Sequence, residues 1–439
     1  MERIIFHIDV NSAFLSWTAV ERLAQGETLD IRTIPSIIGG DSSNRHGIVL
    51  AKSVPAKKFH IKTGEPVAAA MRKCPNLLIL PPNHHMYHEK SQRLMELLHS
   101  YTDDIEQLSV DECFLDFTPL SSRYESPIAA ATQIKEDIKS RFGFTVNIGI
   151  APNKLLAKMA SDFTKPDRIH TLFPEEIPSK MWPLPVEDLY MVGRSSASRL
   201  RALGIRTIGE LASTDIGYLR QEFKSHGQLM WEYANGIGSD QVHSAEREAK
   251  GIGNSTTLAR DAATREEAHA VLLTLTESVS ARLRKAQMLT QSITVEIKYS
   301  DFTTCSHQGA PASATNNTNA IYDMACLLFD QLWNGAPIRL LGVRGTKLLP
   351  VDAPVQLSLF DIDTAAETVP VHRDSVSQTP VRKPSAQKLA QMDAAVDAIR
   401  SRYGKNSLVR GSILTQTSPE QRHVSTDENT ASEEENERI

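Results

Sequence analysis

The chain has 439 residues, enough for two to four domains at about 150 residues each, so a lone small binding module is excluded. With 41% apolar and 23% charged residues it is neither collagen-like nor wholly disordered, and its formal net charge of −5 carries no overall nucleic-acid signal. No apolar run approaches the ~20 residues of a membrane helix, and the N-terminus lacks a signal-peptide pattern. Cys74, Cys113, Cys305 and Cys326 form neither a CxxC pair nor a regular spacing. The expectation is a cytoplasmic protein with reduced thiols and no partner membrane.

Residues 4–8 (IIFHI) form an apolar run that delivers Asp9 at its end, the pattern of a buried strand. A helix is predicted over about 12–25, stopped by Gly26. Residues 39–66 mix glycines, prolines and lysines and predict a loop-rich basic subdomain. Beyond it, Tyr87, Leu94, Leu97 and Leu98 return at helical spacing. The stretch 106–117 reads as two short strands about a turn, followed by a helix near 127–142 and a strand at 145–150. Together these predict an antiparallel sheet backed by helices. Residues 187–236 read as short helices, with Arg194, Arg199, Arg201 and Arg206 clustered without an acid. Over 247–350 the order is strand, helix, strand, strand, helix, strand. After Pro350 the composition turns to Ser, Thr, Gln, Pro and acids, which cannot bury enough surface to fold alone. One amphipathic island, Leu389, Met392, Val396 and Ile399, precedes Gly404. The predicted fold class is α+β with a largely disordered C-terminal tail.

Three acids stand out for chemistry: Asp9, and the adjacent Asp111 and Glu112 of SVDECFLDF. Neighbours along a strand point to opposite faces, so this pair serves one site only if the backbone turns there. Three converging carboxylates would make an oxygen-rich pocket suited to Mg²⁺. Two such ions ~3.5–4 Å apart could clamp an in-line phosphoryl displacement. From spacing alone, ordinary turn acids are the plainer reading. His84, His85 and His88 have metal-like spacing but read as a solvated helix start, and Gly39-Gly40-Asp41 lacks the following acids of a cyclase signature.

In this order and at these intervals, HIDVNSAFLS (7–16), the basic segment 39–66, SVDECFLDF (109–117) and VNIGIAPNKLLAKMASDFTKP (146–166) resemble the Y-family translesion DNA polymerases, in the DNA polymerase IV branch. The resemblance spans most of residues 1–350. It implies a right-hand fold: a palm from 1–10 and 75–166, small fingers over 11–74, a helical thumb over 167–240, an α+β little finger over 247–350, and a tail over 351–439. It implies catalytic and metal-binding roles for Asp9, Asp111 and Glu112, with the Val10 carbonyl as a further ligand, holding two Mg²⁺ ions. Phe14 falls at the family's steric gate, where an aromatic ring leaves no room for the 2′-hydroxyl that marks a ribonucleotide; by position alone it reads as a core aromatic. Lys57 and Lys165 match triphosphate contacts. Lys57 stands where the family has arginine, which keeps the charge but gives up the bidentate fork. In Lys52-Ser53-Val54-Pro55 the usual triphosphate-binding tyrosine is missing at Val54.

MVGRSSASRLRALGI (191–205) resembles a helix-hairpin-helix that would hold a DNA phosphate through Gly193, Arg194 and Arg199, with Met191 where the motif's first glycine is usual. QLSLF (356–360) resembles the peptide that docks on the bacterial sliding clamp, through Gln356, Leu357, Leu359 and Phe360. The implied activity is low-fidelity, template-directed addition of dNTPs to a primer 3′-hydroxyl on primer–template DNA, without proofreading, by a monomer. The rivals are a catalytically silent DNA-binding accessory recruited to the clamp, and a different palm-type nucleotidyl enzyme such as a cyclase.

Overall fold

The computed structural model describes residues 3–40, 47–245, 248–353, 386–404 and 407–410. The chain divides into two compact units, Met1–Arg247 and Glu248–Ile439.

The first unit begins with β1 (Ile5–Val10) and α1 (Ala13–Ala24). A three-stranded sheet follows, in which β2 (Ser36–Gly39) lies between β3 (Val49–Lys52) and a later strand. Next come α2 (Val54–Lys57), α3 (Val67–Lys73), β4 (Leu78–Leu80), which is the other neighbour of β2, and α4 (His84–His99). Then β5 (Ile105–Gln107), β6 (Glu112–Asp116), α5 (Pro127–Phe142), β7 (Val146–Ala151), α6 (Lys154–Asp162) and β8 (Ile169–Thr171) complete a five-stranded sheet of order β5-β6-β1-β7-β8. As its middle strand, β1 is buried at all six residues, which is why its sequence is mostly apolar, His7 and Asp9 being the exceptions.

The sheet is antiparallel except at β7 and β8, which run parallel, and α6 between them supplies the crossover that parallel neighbours require. Two strands fall across the expected boundaries. β4, from the segment assigned to the palm, pairs with β2, and β8, from the segment assigned to the thumb, pairs with β7. Strand pairing is set by partners far away in sequence, so boundaries that a resemblance implies along the chain do not see it.

Local signals explain the helix ends. Asn83 caps α4 by accepting from the Met86 N–H, and Met86, Tyr87, Leu94, Leu97 and Leu98 form its buried stripe. Ser126 caps α5, Pro127 opens it, and Gly143 stops it in the left-handed conformation. These helices cover one face of the sheet around Phe6, Trp17, Tyr87 and Phe144, all with almost no exposure. Against β7, α6 packs so closely that a Cβ at Gly149 would lie 1.9 Å from the Ala157 carbonyl oxygen, so only glycine fits there. Four helices, α7 (Arg194–Ala202), α8 (Ile208–Ser213), α9 (Ile216–Phe223) and α10 (Ser225–Ala234), end the unit around Leu200, Ile208, Leu211, Leu219 and Met230.

The second unit runs β9 (Gly251–Ala262), α11 (Arg265–Lys285), β10 (Met288–Tyr299), β11 (Thr304–Gly309), α12 (Thr318–Leu332) and β12 (Ile338–Pro350), the order expected from the sequence. Its sheet, β11-β10-β12-β9, is antiparallel throughout, with α11 and α12 on one core. The amphipathic island becomes α13 (Ala386–Tyr403), and it docks in a way its apolar spacing does not suggest. Met392 and Ile399 are exposed, whereas Asp393 is buried and accepts from the Thr318 N–H (3.1 Å) and the Asn317 amide (2.8 Å) at the start of α12. Arg284 holds Asp397 with two nitrogens, and Glu277 receives Arg400 and Arg410. The helix is thus held by ion pairs and by the hydrogen bonds of Asp393. The QLSLF peptide lies outside the described residues, and among those described no helix is long and apolar enough to cross a membrane.

Candidate active site

Asp9 stands near the end of β1, where the register places it opposite Glu112 on β6 and Asn147 on β7. Directly opposed residues share a face, so Asp9 and Glu112 stand side by side. The chain bends through 109–111, just before β6. There the Ser109 hydroxyl donates to the Asp111 carboxylate (2.7 Å), and the Val10 N–H donates to the Asp111 carbonyl (3.0 Å). This is the turn that adjacent acids need. Asp111 and Glu112 line one cavity of about 410 Å³ together with Asp9 and Val10.

The carboxylates differ in their surroundings. Burial pushes the Asp9 carboxyl up from its ordinary value, against the pull of the Lys165 ammonium paired with it. Burial also raises Asp111. At Glu112 burial acts in the same direction but is outweighed by the His7 hydrogen bond and the Lys158 ammonium, which hold the carboxyl at about 2. His7 places Nε2 3.3 Å from Glu112 and Nδ1 2.8 Å from the Ser161 hydroxyl. Burial lowers the His7 pKa and favours a neutral ring. An ionised carboxylate only accepts, so a hydrogen bond to Glu112 places a ring proton on Nε2. Lys158 and Ser161 both come from α6, whose approach Gly149 permits.

The start of α1 supplies Ser12, Ala13 and Phe14 to the cavity, and the small sheet supplies Leu50, Ala51 and Lys52. Ser12 adopts a left-handed backbone (φ 50°), a conformation that costs a non-glycine residue about 1–2 kcal/mol. The Phe14 ring stacks on Tyr87 at 4.5 Å between centroids, and it also lines the cavity. Lys57 and Lys165 line it too. Val54 is 49% exposed and is not part of the lining. All seven cavity residues expected from the sequence therefore meet at one place. His7, Ser12, Lys52, Thr63, Lys158 and Ser161 were missed. His7 was within reach, being two residues before Asp9 and hence on the same strand face; for Lys158 and Thr63 no local signal existed.

The donor set fits a hard divalent cation: the acids are oxygen donors, and burial leaves Asp9 and Asp111 poorly solvated, so a cation there gains most. Among the described residues no three His, Cys, Asp or Glu side chains are grouped to hold an ion as they stand. Asp9 is turned to Lys165, Glu112 to Lys158, and Asp111 to Ser109. Asp116, buried and accepting from the Thr118 N–H, is structural, and burial pushes the Cys113 thiol up to about 12.

In α7, Gly193 is the N-cap and has no capping side chain, and Arg194 follows it, exposed. Met191 has φ 71°, so the hairpin keeps the backbone that a glycine would adopt freely. Arg199 is engaged within the unit, bonded to Glu222 at 2.6 Å and stacked over Phe223.

The chain matches the impB/mucB/samB family over residues 8–162, the family's helix-hairpin-helix motif over 174–205 and its C-terminal domain over 249–359. It is 46% identical to a DNA polymerase IV of Clostridium acetobutylicum across 94% of this chain and 99% of that protein. It is 38% identical to DNA polymerase IV 1 of Bacillus subtilis across 84% and 88%. Among solved structures, a Y-family DNA polymerase chimera superimposes with a TM-score of 0.70 at 24% identity, over 79% of this chain and 99% of the other, a likeness of fold.

Proposed function

The chain belongs to the impB/mucB/samB family and, within it, to the DNA polymerase IV branch of the Y-family, and from that premise we propose that the cavity at the end of β1 is its nucleotidyl-transfer site. The protein is a template-directed translesion DNA polymerase that depends on a divalent metal and uses primer–template DNA and dNTPs. The convergence of Asp9, Asp111 and Glu112 on one cavity carries the assignment of the site. On this reading these three carboxylates and the Val10 carbonyl would hold two Mg²⁺ ions. When bound, the ions would activate the attacking 3′-hydroxyl and neutralise the charge on the leaving pyrophosphate.

The chain's own residues supply the rest. Lys57 and Lys165 would bind the triphosphate, and the Phe14 ring, braced by Tyr87, would close the space a 2′-hydroxyl needs. Gly193 and Arg194 would hold a DNA phosphate at the start of α7. Arg199 would join them with the guanidinium nitrogens left free by Glu222. QLSLF would recruit a monomeric, cytoplasmic enzyme to the sliding clamp. Replacing Leu359 and Phe360 by Ala would then remove clamp stimulation and spare basal extension; equal stimulation counts against docking. A silent accessory or a template-free cyclase is not favoured by relatives named as polymerases.

The deciding experiment is primer extension on an undamaged template with Mg²⁺ and four dNTPs, comparing the native protein with Asp111→Ala plus Glu112→Ala. Extension by the native protein alone is expected. Extension by both would remove the acids from the site, and extension by neither would return the accessory reading.

A further inference from the structure

We propose that Lys52 is a phosphate-binding residue of this cavity, taking the triphosphate tail of the incoming nucleotide beside Lys57. The inference rests on the reading of the cavity as the nucleotide site and adds a contact that the family motifs do not supply. Lys52 is the last residue of β3, held opposite Ile37 of β2, and its half-buried side chain lines the cavity. Three other lysines at or near the site already pair with carboxylates, Lys165 with Asp9 and Asp162, Lys158 with Glu112, and Lys73 with Glu65. Among the described residues Lys52 has no hydrogen-bond or ion-pair partner. Burial, then Lys57, and to a smaller extent Lys62 and Lys73, depress its pKa; Glu65 opposes them, and that carboxylate is already bound at 2.5 Å by Lys73.

A partly desolvated ammonium among other ammonium groups is costly unless an anion joins it. The charge of a nucleoside triphosphate answers that cost, and a lysine binds phosphate as a point charge without needing a planar fork. At the start of α2, Val54 is half exposed and is not part of the lining, so Lys57 is the only α2 side chain beside Lys52 in the lining.

Single-nucleotide insertion kinetics of Lys52→Met, Lys52→Arg and Lys58→Ala test the assignment, with Lys58 an exposed neighbour outside the lining. Losing one charge-assisted contact should raise the KM for dNTP on the order of tenfold in Lys52→Met with little change in kcat. Arg at 52 should recover most of the loss, and Lys58→Ala should leave KM unchanged, since loss of a general charge would act on both positions alike. An unchanged KM in Lys52→Met overturns the proposal. Calorimetric binding of inorganic tripolyphosphate to the full chain reads the same contact without turnover. Weaker binding by Lys52→Met supports the role of Lys52 even if the protein extends no primer, and equal binding sinks it even if extension is robust.

Discussion

Glu277 on α11 and Glu112 on β6 each gather two basic side chains, yet the surroundings differ. Glu277 receives Arg400 and Arg410, and Arg284 nearby holds Asp397 through two nitrogens. Glu112 receives a lysine and a histidine, in a cavity that also holds Asp9, Asp111 and Lys52, which is unpaired among the described residues. Arginine forks fix geometry, and a network closed by them pins α13 to its unit. Lysine is a mobile point charge that can give up one carboxylate for another anion, which suits a site where charges must be exchanged with a ligand. The same residue classes thus build a clasp in one unit and the proposed nucleotidyl-transfer site in the other.

The clasp is the easier to break. Asp393→Ala removes the partner of Asn317 and Thr318 and a neighbour of Arg284. Removing one member of a buried charged network costs about 3–5 kcal/mol, so urea unfolding should show a loss of that order in the second unit and early proteolysis of α13. A loss below about 1 kcal/mol would mean the helix is held no better than by a surface ion pair.

In the site, the largest functional effect outside the acids is expected at Phe14. Phe14→Ala should admit ribonucleotides, and the ratio of insertion efficiencies for dNTP and rNTP should fall by at least about tenfold, since the contact is steric. An unchanged ratio removes Phe14 as the gate. Lys158→Met sharpens the electrostatic contrast. With Glu112 at about 2 in the folded state against an ordinary 4.5, its ionised form contributes stability that is full above about pH 4.5 and is lost as the pH falls toward 2. Without Lys158 the Glu112 carboxyl moves back up, so stability should depend less on pH across this window; an unchanged acid titration would show that His7 alone holds Glu112 down.

The smallest effect is at the thumb hairpin. Met191 is 51% exposed and holds a left-handed backbone, so Met191→Gly should stabilise the first unit by roughly 1 kcal/mol in thermal unfolding. Destabilisation would mean that its side chain packs against something worth more than the strain.

Much of the site was legible because its parts are local. IIFHI delivers Asp9 at the end of a buried strand, SVDECFLDF delivers two acids beside a bend, and each is written in a handful of adjacent residues. The same holds for α4 and α5, where apolar spacing, Ser126, Pro127 and Gly143 mark a helix by rules that act within a few residues. Other features depend on which distant segment arrives. Lys158 reaches Glu112 across 46 positions because β7 and α6 pack through Gly149. β4 and β8 join sheets outside the segments that the resemblance implies for them, and α13 docks by Asp393 and Arg284 while Met392 and Ile399 face water. By itself the sequence determined the elements, their chemistry and the three acids, since periodicity, caps and strand ends are short-range. Only the tertiary structure decided which charges face one another, because an ion pair depends on register and close approach between segments whose separation along the chain carries no local mark.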